Sequence, residues 1–427
     1  WLSGWGLPLG LPAVAYAVAF VVQQALILHA RELAGVHAFA QFPFARMFAA
    51  AFVVNAPFSF LTGLLFTMAS REAARRASLP AARVYIVETF GGCLGGVFTT
   101  LALAFGMPGE KVILLAAVPL LGAAAGSLRG RPRLAVGLFA CALLAAAVQG
   151  ALPMRWAAAN ARAEWSRLLT AESYRGYFTT PQGRYLYGNR GGQFIVVSNG
   201  AVCDTWPPGE HAAEVAAIHL AQKPDMRNAL VIGPDALGLC DRLRAVPGIE
   251  RVTWLHTDPA YPDRLRAILK MGGMPDFLPE DAPRTDLRAH AKATSSRYDA
   301  VILNLPGLST LAMNRFASVE AFQGLRPLLN PEAMVSVCVA GGENFLGAER
   351  AFLGASLLAT LQSVFKHVAM KPGEETWFFA SDADILSVFP ATLRKRFEDI
   401  PGAAAIYPPA NIPALFPPDR IVFQQEK

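Results

Sequence analysis

Charged residues are scarce in this sequence. Asp, Glu, Lys and Arg make up 16% of its 427 residues, whereas soluble proteins average roughly 25%. Hydrophobic residues make up 53%, and the mean hydropathy is +0.34. The chain is too long for one ordinary soluble domain, and its composition is typical of a membrane protein.

Paired cysteines and nucleic-acid motifs are missing as well. The five cysteines are scattered singly, so their spacing predicts neither a disulfide framework nor a metal site. The net charge of +6 is not accompanied by a recognition motif or a basic stripe, and no nucleic-acid partner is expected. The chain begins at Trp1 without a basic leader, which gives no sign of a cleavable signal peptide.

Long apolar runs dominate the first part of the chain. They cover residues 8–29, 44–69, 84–106, 111–128 and 133–152. Each approaches the ~20 residues that cross a bilayer, although the fourth is short. Residues 1–153 are therefore predicted to form a multi-pass transmembrane domain of about five helices in the lipid bilayer.

The arginines between these runs predict an orientation. Two loops are arginine-rich, and by the positive-inside rule both should face the cytoplasm; their arginines are Arg71, Arg75, Arg76, Arg83, Arg129, Arg131 and Arg133. Counting onward places the rest of the chain on the periplasmic side of an inner membrane. Three arginines after the last run favour the opposite side: Arg155, Arg162 and Arg167.

The third apolar run contains a carboxylate and four glycines. The glycines form two overlapping small-xxx-small pairs, Gly91 with Gly95 and Gly92 with Gly96, which predict close packing against another helix. Glu88 is a functional candidate because a carboxylate is costly within a bilayer, or it forms an anchoring pair with Arg83. Further polar interhelical contacts are expected from Gln23, Gln24, Asn55 and Pro57.

Downstream of residue 153 the pattern changes to short elements. Residues 154–171 predict a linker helix whose Trp156 and Trp165 suit either the membrane interface or packing on protein. Short β-like runs with glycine turns predict a small antiparallel β subdomain and gate segment over residues 172–228. Alternating strands and helices over 229–400 predict a Rossmann-like, doubly wound, mainly parallel sheet. Residues 401–427 are proline-rich, and an irregular tail is expected.

Residues 298–337 carry a family resemblance. NLPGLST, LAMNRF and LLNPEAMVSV follow one another in the order seen in the spermidine synthase (polyamine aminopropyltransferase) family, which this segment resembles. GGENFLGAE, and upstream APFSFLTGLLFTMAS and YIVETFGGCLGG, look like bacterial members that fuse membrane helices to the synthase-like domain. The resemblance implies aminopropyl transfer from decarboxylated S-adenosylmethionine to putrescine, with a carboxylate holding the amine and accepting its proton.

The first nucleotide-binding turn departs from the family pattern. In VIGPDALGLCDRL, Gly233 and Gly238 remain of a glycine-rich loop, with Asp235 between them. Pro234 removes an N–H and fixes φ, while Ala236 and Leu237 add bulk. After the second strand, His256 replaces a ribose-binding glutamate, and Asp258 remains as a ligand contact or a turn residue. Asp286 is either an adenine contact or a helix cap.

The catalytic position departs as well. Asn304 stands where the resemblance implies the proton-accepting aspartate, and an amide cannot take up a proton at physiological pH. In the gate segment Glu210, Glu214 and His219 remain but Ala213 replaces an aromatic residue. Glu210 is the remaining catalytic candidate, and His219 is expected to be a packed helix residue.

Together these departures predict a non-catalytic membrane protein without a bound cofactor, acting as a scaffold or as a subunit with other membrane proteins. One alternative is an active S-adenosyl-dependent transferase in which Glu210, Asp235 or Asp258 supplies the carboxylate. Another is a sensor of a small polyamine-like ligand.

Overall fold

The computed structural model describes residues 10–37, 40–77, 80–127, 131–305, 307–308, 311–343 and 345–426. Outside it lie several residues used above: Trp1, Arg129, Pro306, Ser309, Thr310, Asn344 and the side chains of Arg76, Arg131 and Arg133. The chain divides into two compact units, Trp1–Leu186 and Tyr187–Lys427.

The first unit is mainly helical. Its elements are α1 (Gly10–Leu28), α2 (Ala30–Leu33), α3 (Phe44–Ala77), α4 (Ala81–Ala104), α5 (Gly109–Ser127), α6 (Arg131–Gln149), α7 (Leu152–Leu168), β1 (Tyr174–Thr179) and the start of β2 (Arg184–Arg190). A helix lies at each of the five predicted apolar runs. Within the first pair, Gln23 Nε2 on α1 donates to Asn55 Oδ1 on α3 at 2.8 Å, which confirms one expected polar contact.

Three of these helices are long and apolar enough to cross a membrane. They are Leu11–Leu28, Phe44–Arg75 and Ala81–Ala104. A fourth span is possible only if Phe139–Gln149 and Leu152–Leu168, which are bent by 59°, count as one. These spans are counted within the described residues alone, and the five-span topology stays a prediction.

The linker helix α7 packs on protein at its C-terminal half. Trp165 is fully buried, and its Nε1 donates to Ser173 Oγ at 2.9 Å and to the carbonyl of Thr170 at 3.1 Å. This placement supports the packed-linker alternative for Trp165 rather than a position at the membrane interface.

An ionic cluster joins three elements of the first unit. Arg184 on β2 donates to Glu110 on α5 at 3.0 Å and to Glu164 on α7 at 2.8 Å. Asn160 Nδ2 also donates to Glu110, at 3.1 Å. One guanidinium therefore holds two carboxylates from helices that are far apart in sequence.

The second unit contains the predicted α/β fold. Its elements are β3 (Gln193–Ser198), β4 (Ala201–Trp206), α8 (Glu210–Gln222), β5 (Asn228–Ile232), α9 (Leu237–Arg244), β6 (Arg251–Leu255), α10 (Tyr261–Met271), α11 (Leu287–Ala293), β7 (Tyr298–Leu303), α12 (Leu311–Asn314), α13 (Val319–Leu325), β8 (Leu329–Ala340), α14 (Ala348–Val364), β9 (His367–Lys371), β10 (Glu375–Ser381), α15 (Pro390–Glu398), α16 (Ala403–Ile406), α17 (Ile412–Leu415) and α18 (Pro418–Gln425). β3 and β4 pair antiparallel, as expected for the small β subdomain.

The main sheet has the order β6-β5-β7-β8-β10-β9. β6, β5, β7 and β8 are parallel neighbours, whereas β10 runs antiparallel to both β8 and β9. This confirms a Rossmann-like, mainly parallel sheet with an antiparallel edge. Its central strands are mostly apolar, as expected of parallel strands that are buried on both faces; β5 has four of its five residues buried.

The carboxyl ends of the parallel strands define one edge of the sheet. The turns after β5, β6 and β7 lie there, and a ligand of such a fold binds in this crevice. The C-terminal residues are not an irregular tail, because they form α16, α17 and α18. Tyr407, Ile412, Phe416 and Ile421 of this segment are buried.

Candidate functional site

The turn after β5 is held against the ends of β6 and β7. Gly233 N donates to Leu255 O at 3.0 Å, and Asn304 N donates to Ile232 O at 2.8 Å. Gly233 has a φ of +133°, and a Cβ there would lie 1.9 Å from the carbonyl oxygen of Asn304. Glycine is therefore required by the backbone of the neighbouring strand end, whether or not a ligand approaches.

The following residues pack rather than leave an open loop. Leu237 is 1% exposed. A Cβ on Gly238 would lie 3.0 Å from the side chains of Pro208 and Ala212, so this glycine allows α9 to approach α8 closely. The packing role of Gly238 follows from these contacts, whereas a role of Gly238 in ligand binding stays a prediction. Asp235 between them adopts a left-handed φ of 55°, which Asp tolerates better than most residues.

The end of β6 is closed by aromatic packing. The ring of Tyr261 stacks on His256, with 4.2 Å between centroids and 16° between planes. His256 Nδ1 lies 2.9 Å from the backbone N of Asp258, and Asp258 Oδ1 accepts from Ala260 N at 3.1 Å. Asp258 is thus a turn residue, and it is buried together with His256 and Tyr261.

Asp204 is a site residue that the sequence pattern did not indicate. It lies on β4 and is 2% exposed. Its Oδ2 accepts from Tyr261 Oη at 2.6 Å, and its Oδ1 accepts from Leu237 N at 3.3 Å. The only sequence signal was a lone acid within the strand AVCDTW. The hydrogen bonds join β4 to the first turns of α9 and α10.

Burial changes the proton affinities of these groups. Loss of solvation raises the pKa of Asp204 to about 7, against the hydrogen bonds from Tyr261 and Leu237, which lower it. Desolvation and the Asp204 charge raise the pKa of Asp235 to about 7, while His211 opposes the shift. Asp235 keeps a large exposed area, so water screens its carboxylate more than that of Asp204. Burial lowers the pKa of His256 to about 4, and its ring is neutral at pH 7.

The uncharged side chain of Asn304 stabilises the turn after β5. Its Nδ2 donates to the carbonyl oxygen of Asp235 at 3.0 Å, and the side chain is half-buried. The amide can bridge the two turns and can offer its oxygen to a donor. It supplies neither the negative charge nor the proton acceptor that amine transfer requires.

The other predicted residues of the second unit lie elsewhere. Glu210 is exposed in the first turn of α8, and its catalytic role stays a prediction. Asp286 caps α11, with Oδ1 accepting from Ala289 N at 2.9 Å. His219 is fully buried, with Nε2 at 2.7 Å from Ser336 Oγ, as expected of a packed helix residue. Within the described residues, no group of three or more His, Cys, Asp or Glu side chains is placed to hold a metal ion.

The glycines of α4 lie on an open face of the first unit. A Cβ on Gly91, Gly92, Gly95 or Gly96 would meet no atom within 4 Å. Glu88 precedes them on the same helix face, since residues three and four apart are neighbours. Glu88 has no salt bridge to Arg83 or to any other residue in the described ranges, and its functional and anchoring roles both stay predictions. Helix packing at this face is not realised within the described part of the chain.

No family model and no curated protein matches the chain. Among solved structures, the chain is similar to a spermidine synthase in complex with the transition-state analogue AdoDATO, with 13% identity, a TM-score of 0.46, and coverage of 60% of this chain and 88% of the other. A spermidine synthase from Thermotoga maritima gives 13% identity, a TM-score of 0.45, and coverage of 60% and 87%. Human methyltransferase-like protein 13 in complex with SAH gives 16% identity, a TM-score of 0.35, and coverage of 46% and 93%. At these low scores the comparisons carry no conclusion about activity or ligand.

Proposed function

We propose that this chain is a membrane-anchored, non-catalytic protein with a spermidine-synthase-like second unit, serving as a scaffold or subunit of a membrane protein complex. The proposal locates it in the inner membrane, with the second unit on the periplasmic side. It binds no S-adenosyl cofactor in this role.

One observation carries the proposal. Tyr261 covers His256 and donates to Asp204, so three side chains at the strand ends are committed to one another. A nucleoside needs acceptors for its ribose hydroxyls at this place, and a sulfonium centre needs nearby negative charge. The buried imidazole of His256 offers at most one acceptor. Asp204 favours its neutral form up to about pH 7.

The open face of α4 supports the subunit role. Close helix packing is the ordinary use of small-xxx-small pairs in membranes, and the four glycines have open space before them. An unpaired carboxylate such as Glu88 on an apolar helix is costly in lipid. A partner helix that carries a hydrogen-bond donor would offset this cost and would fill the glycine face.

An aminopropyl-transfer assay tests the absence of catalysis. The purified full chain in detergent is incubated with decarboxylated S-adenosylmethionine and putrescine, and spermidine is measured. We expect no product from the wild type or from Asn304→Asp, because restoring the aspartate leaves Tyr261 over His256. Spermidine formation by the wild type would overturn the proposal, and formation by Asn304→Asp alone would show that only the base had been lost.

A specific observation favours a second candidate, an S-adenosyl-dependent transferase that uses Asp235 as its base. Asp235 is accessible and its pKa is raised to about 7, which suits proton transfer near neutral pH. Under this candidate the wild type transfers a group to an acceptor amine and Asp235→Asn abolishes the transfer. Asp263→Asn, a substitution of an exposed acid on α10, serves as the matched control.

A further inference from the structure

A second cavity lies at the opposite end of the main sheet from the strand-end crevice. It has a volume of about 950 Å³ and is bordered by the amino ends of β6 and β7, where Val252 and Tyr298 lie. Helix α11 and the segment before it complete its wall. The ligands of such folds bind at the carboxyl ends of the strands. This cavity lies at the amino ends, so it is separate from the crevice described above.

Two arginines are among the residues that line this cavity. Arg244 is the last residue of α9, and its Nη1 donates to the carbonyl of Leu278 at 3.3 Å. Arg251 is the first residue of β6, and its Nη1 donates to Ser296 Oγ at 3.1 Å. Across the described ranges, neither guanidinium lies within salt-bridge distance of a carboxylate. Each arginine has five N–H donors, so several remain to bind an acid group.

A chain of hydrogen bonds also borders the cavity. Tyr298 Oη donates to Thr253 Oγ1 at 3.3 Å, and Thr253 Oγ1 donates to Asp281 Oδ2 at 2.5 Å. Because the single proton of Tyr298 is used in this way, His290 Nε2, 3.0 Å from Tyr298 Oη, acts as the donor to it. Burial lowers the pKa of His290. The neutral ring then has Nδ1 as an acceptor.

Carboxylates complete the lining. Glu280 and Asp281 both border the cavity, and Glu280 forms no salt bridge within the described residues. Glu250 also borders it but lies 3.5 Å from Arg227. The cavity therefore offers guanidinium donors together with carboxylate and imidazole acceptors. A molecule bearing only one charge would leave either the arginines or the acids without a partner.

We propose that this cavity binds a small zwitterionic molecule of the amino-acid class, with its acid group at Arg244 and Arg251 and its ammonium group at Glu280 and Asp281. The site is independent of the proposed function, because it shares no residue with the strand-end crevice. Binding here is compatible with either an inactive or an active second unit.

Calorimetry on the purified full chain in detergent tests the proposal. The probes are L-alanine, 4-aminobutyrate and 6-aminohexanoate, which vary the separation of the two charges, with butyrate and butylamine as singly charged controls. We expect at least one zwitterion to bind saturably below about 10 mM and roughly tenfold more tightly than either control. Equal binding of butyrate would show an anion site only, and no saturable heat from any zwitterion would equally overturn the proposal.

Variants assign the two ends of the ligand. Arg251→Gln and Glu280→Gln, both at exposed positions that should tolerate substitution, are each expected to weaken zwitterion binding about tenfold, which corresponds to ~1.4 kcal/mol. Arg264→Gln, at an exposed arginine on α10 outside the cavity lining, should leave binding unchanged. If Arg251→Gln and Arg264→Gln bind the zwitterion alike, the arginine assignment is wrong.

Discussion

At the scale of single residues, the buried carboxyl group of Asp204 links three segments. It accepts from Tyr261 and from the backbone of Leu237, while burial raises its pKa to about 7. A carboxylate without a cationic partner in such a place is stabilised only by these hydrogen bonds. Its protonation state therefore affects how firmly the turns after β5 and β6 are held.

This environment predicts an unusual pH dependence of stability. The pKa of Asp204 is about 7 in the folded chain, against an ordinary value of 3.8 for an exposed aspartate. Between these values the folded state holds a proton on Asp204 that the unfolded state has released, so the contribution of Asp204 to the free energy of unfolding falls as pH rises through this window and levels off above it. Asp204→Asn is expected to remove this fall and to stabilise the second unit at pH 8 by at most about 4 kcal/mol.

Tryptophan-fluorescence melts of the full chain at pH 5 and pH 8 measure this effect. Asp263→Asn, on the exposed side of α10, is the control and should follow the wild type at both pH values. Asp235 and His256 titrate in both proteins, so the difference between Asp204→Asn and the wild type reports on Asp204. If this difference is the same at pH 5 and pH 8, Asp204 does not titrate as described.

The sequence predicted some of these residues and not others, for a physical reason. Gly233 and Asn304 follow buried strands directly and Asp258 comes three residues after β6, so their place at the strand ends could be inferred from the local pattern. Asp204 and Tyr261 are 57 residues apart, and neither carries a local signal for the other. Their contact arises from tertiary packing alone.

At the scale of elements, Arg184 joins β2 to α5 and α7. Its guanidinium holds Glu110 and Glu164. The exposed fraction of the side chain is 11% for Glu110 and 24% for both Arg184 and Glu164. Removing the cation would leave two carboxylates close together in a poorly solvated place. Such a loss is more costly than the pair itself is stabilising.

Arg184→Gln is therefore expected to destabilise the attachment of the β2 segment to the helices of the first unit, by roughly 1–3 kcal/mol given the partial exposure of the cluster. Arg175→Gln, at an exposed arginine on β1, is the matched control. Limited proteolysis of the full chain in detergent should show faster cleavage between residues 169 and 184 in Arg184→Gln only. Equal cleavage rates in both variants would contradict the role given to this cluster.

Element boundaries show where sequence patterns were sufficient. The strands β5, β6, β7 and β8 could be predicted because each is a compact apolar run between polar turns. Helix α9 starts only at Leu237, because Asp235 two residues earlier adopts a left-handed φ. The short C-terminal helices were missed because their prolines were read as breakers, whereas Pro413 and Pro418 occupy first-turn positions that proline favours.

At the scale of the whole molecule, orientation in the membrane is the open prediction. The arginine-rich loops point to a cytoplasmic position for the connection between α3 and α4. With the five predicted spans, three follow that connection, and the second unit is then expected outside the cytoplasm. Periplasmic placement would separate that unit from the cytoplasmic pool of S-adenosyl compounds.

Labelling with a membrane-impermeant maleimide tests this orientation. Lys270→Cys, on the exposed surface of α10, should be labelled in intact cells once the outer membrane is permeable, whereas Arg75→Cys on α3 should be labelled only after the inner membrane is opened. Both variants are made with Cys93→Ser, because Cys93 is exposed. The reverse pattern would place the second unit in the cytoplasm.

Direct titration of the full chain with 5′-methylthioadenosine and with decarboxylated S-adenosylmethionine tests the central claim, that the strand ends do not accommodate a sulfonium nucleoside. The account predicts no saturable heat from either compound. Saturable binding of either one in the micromolar range would contradict it.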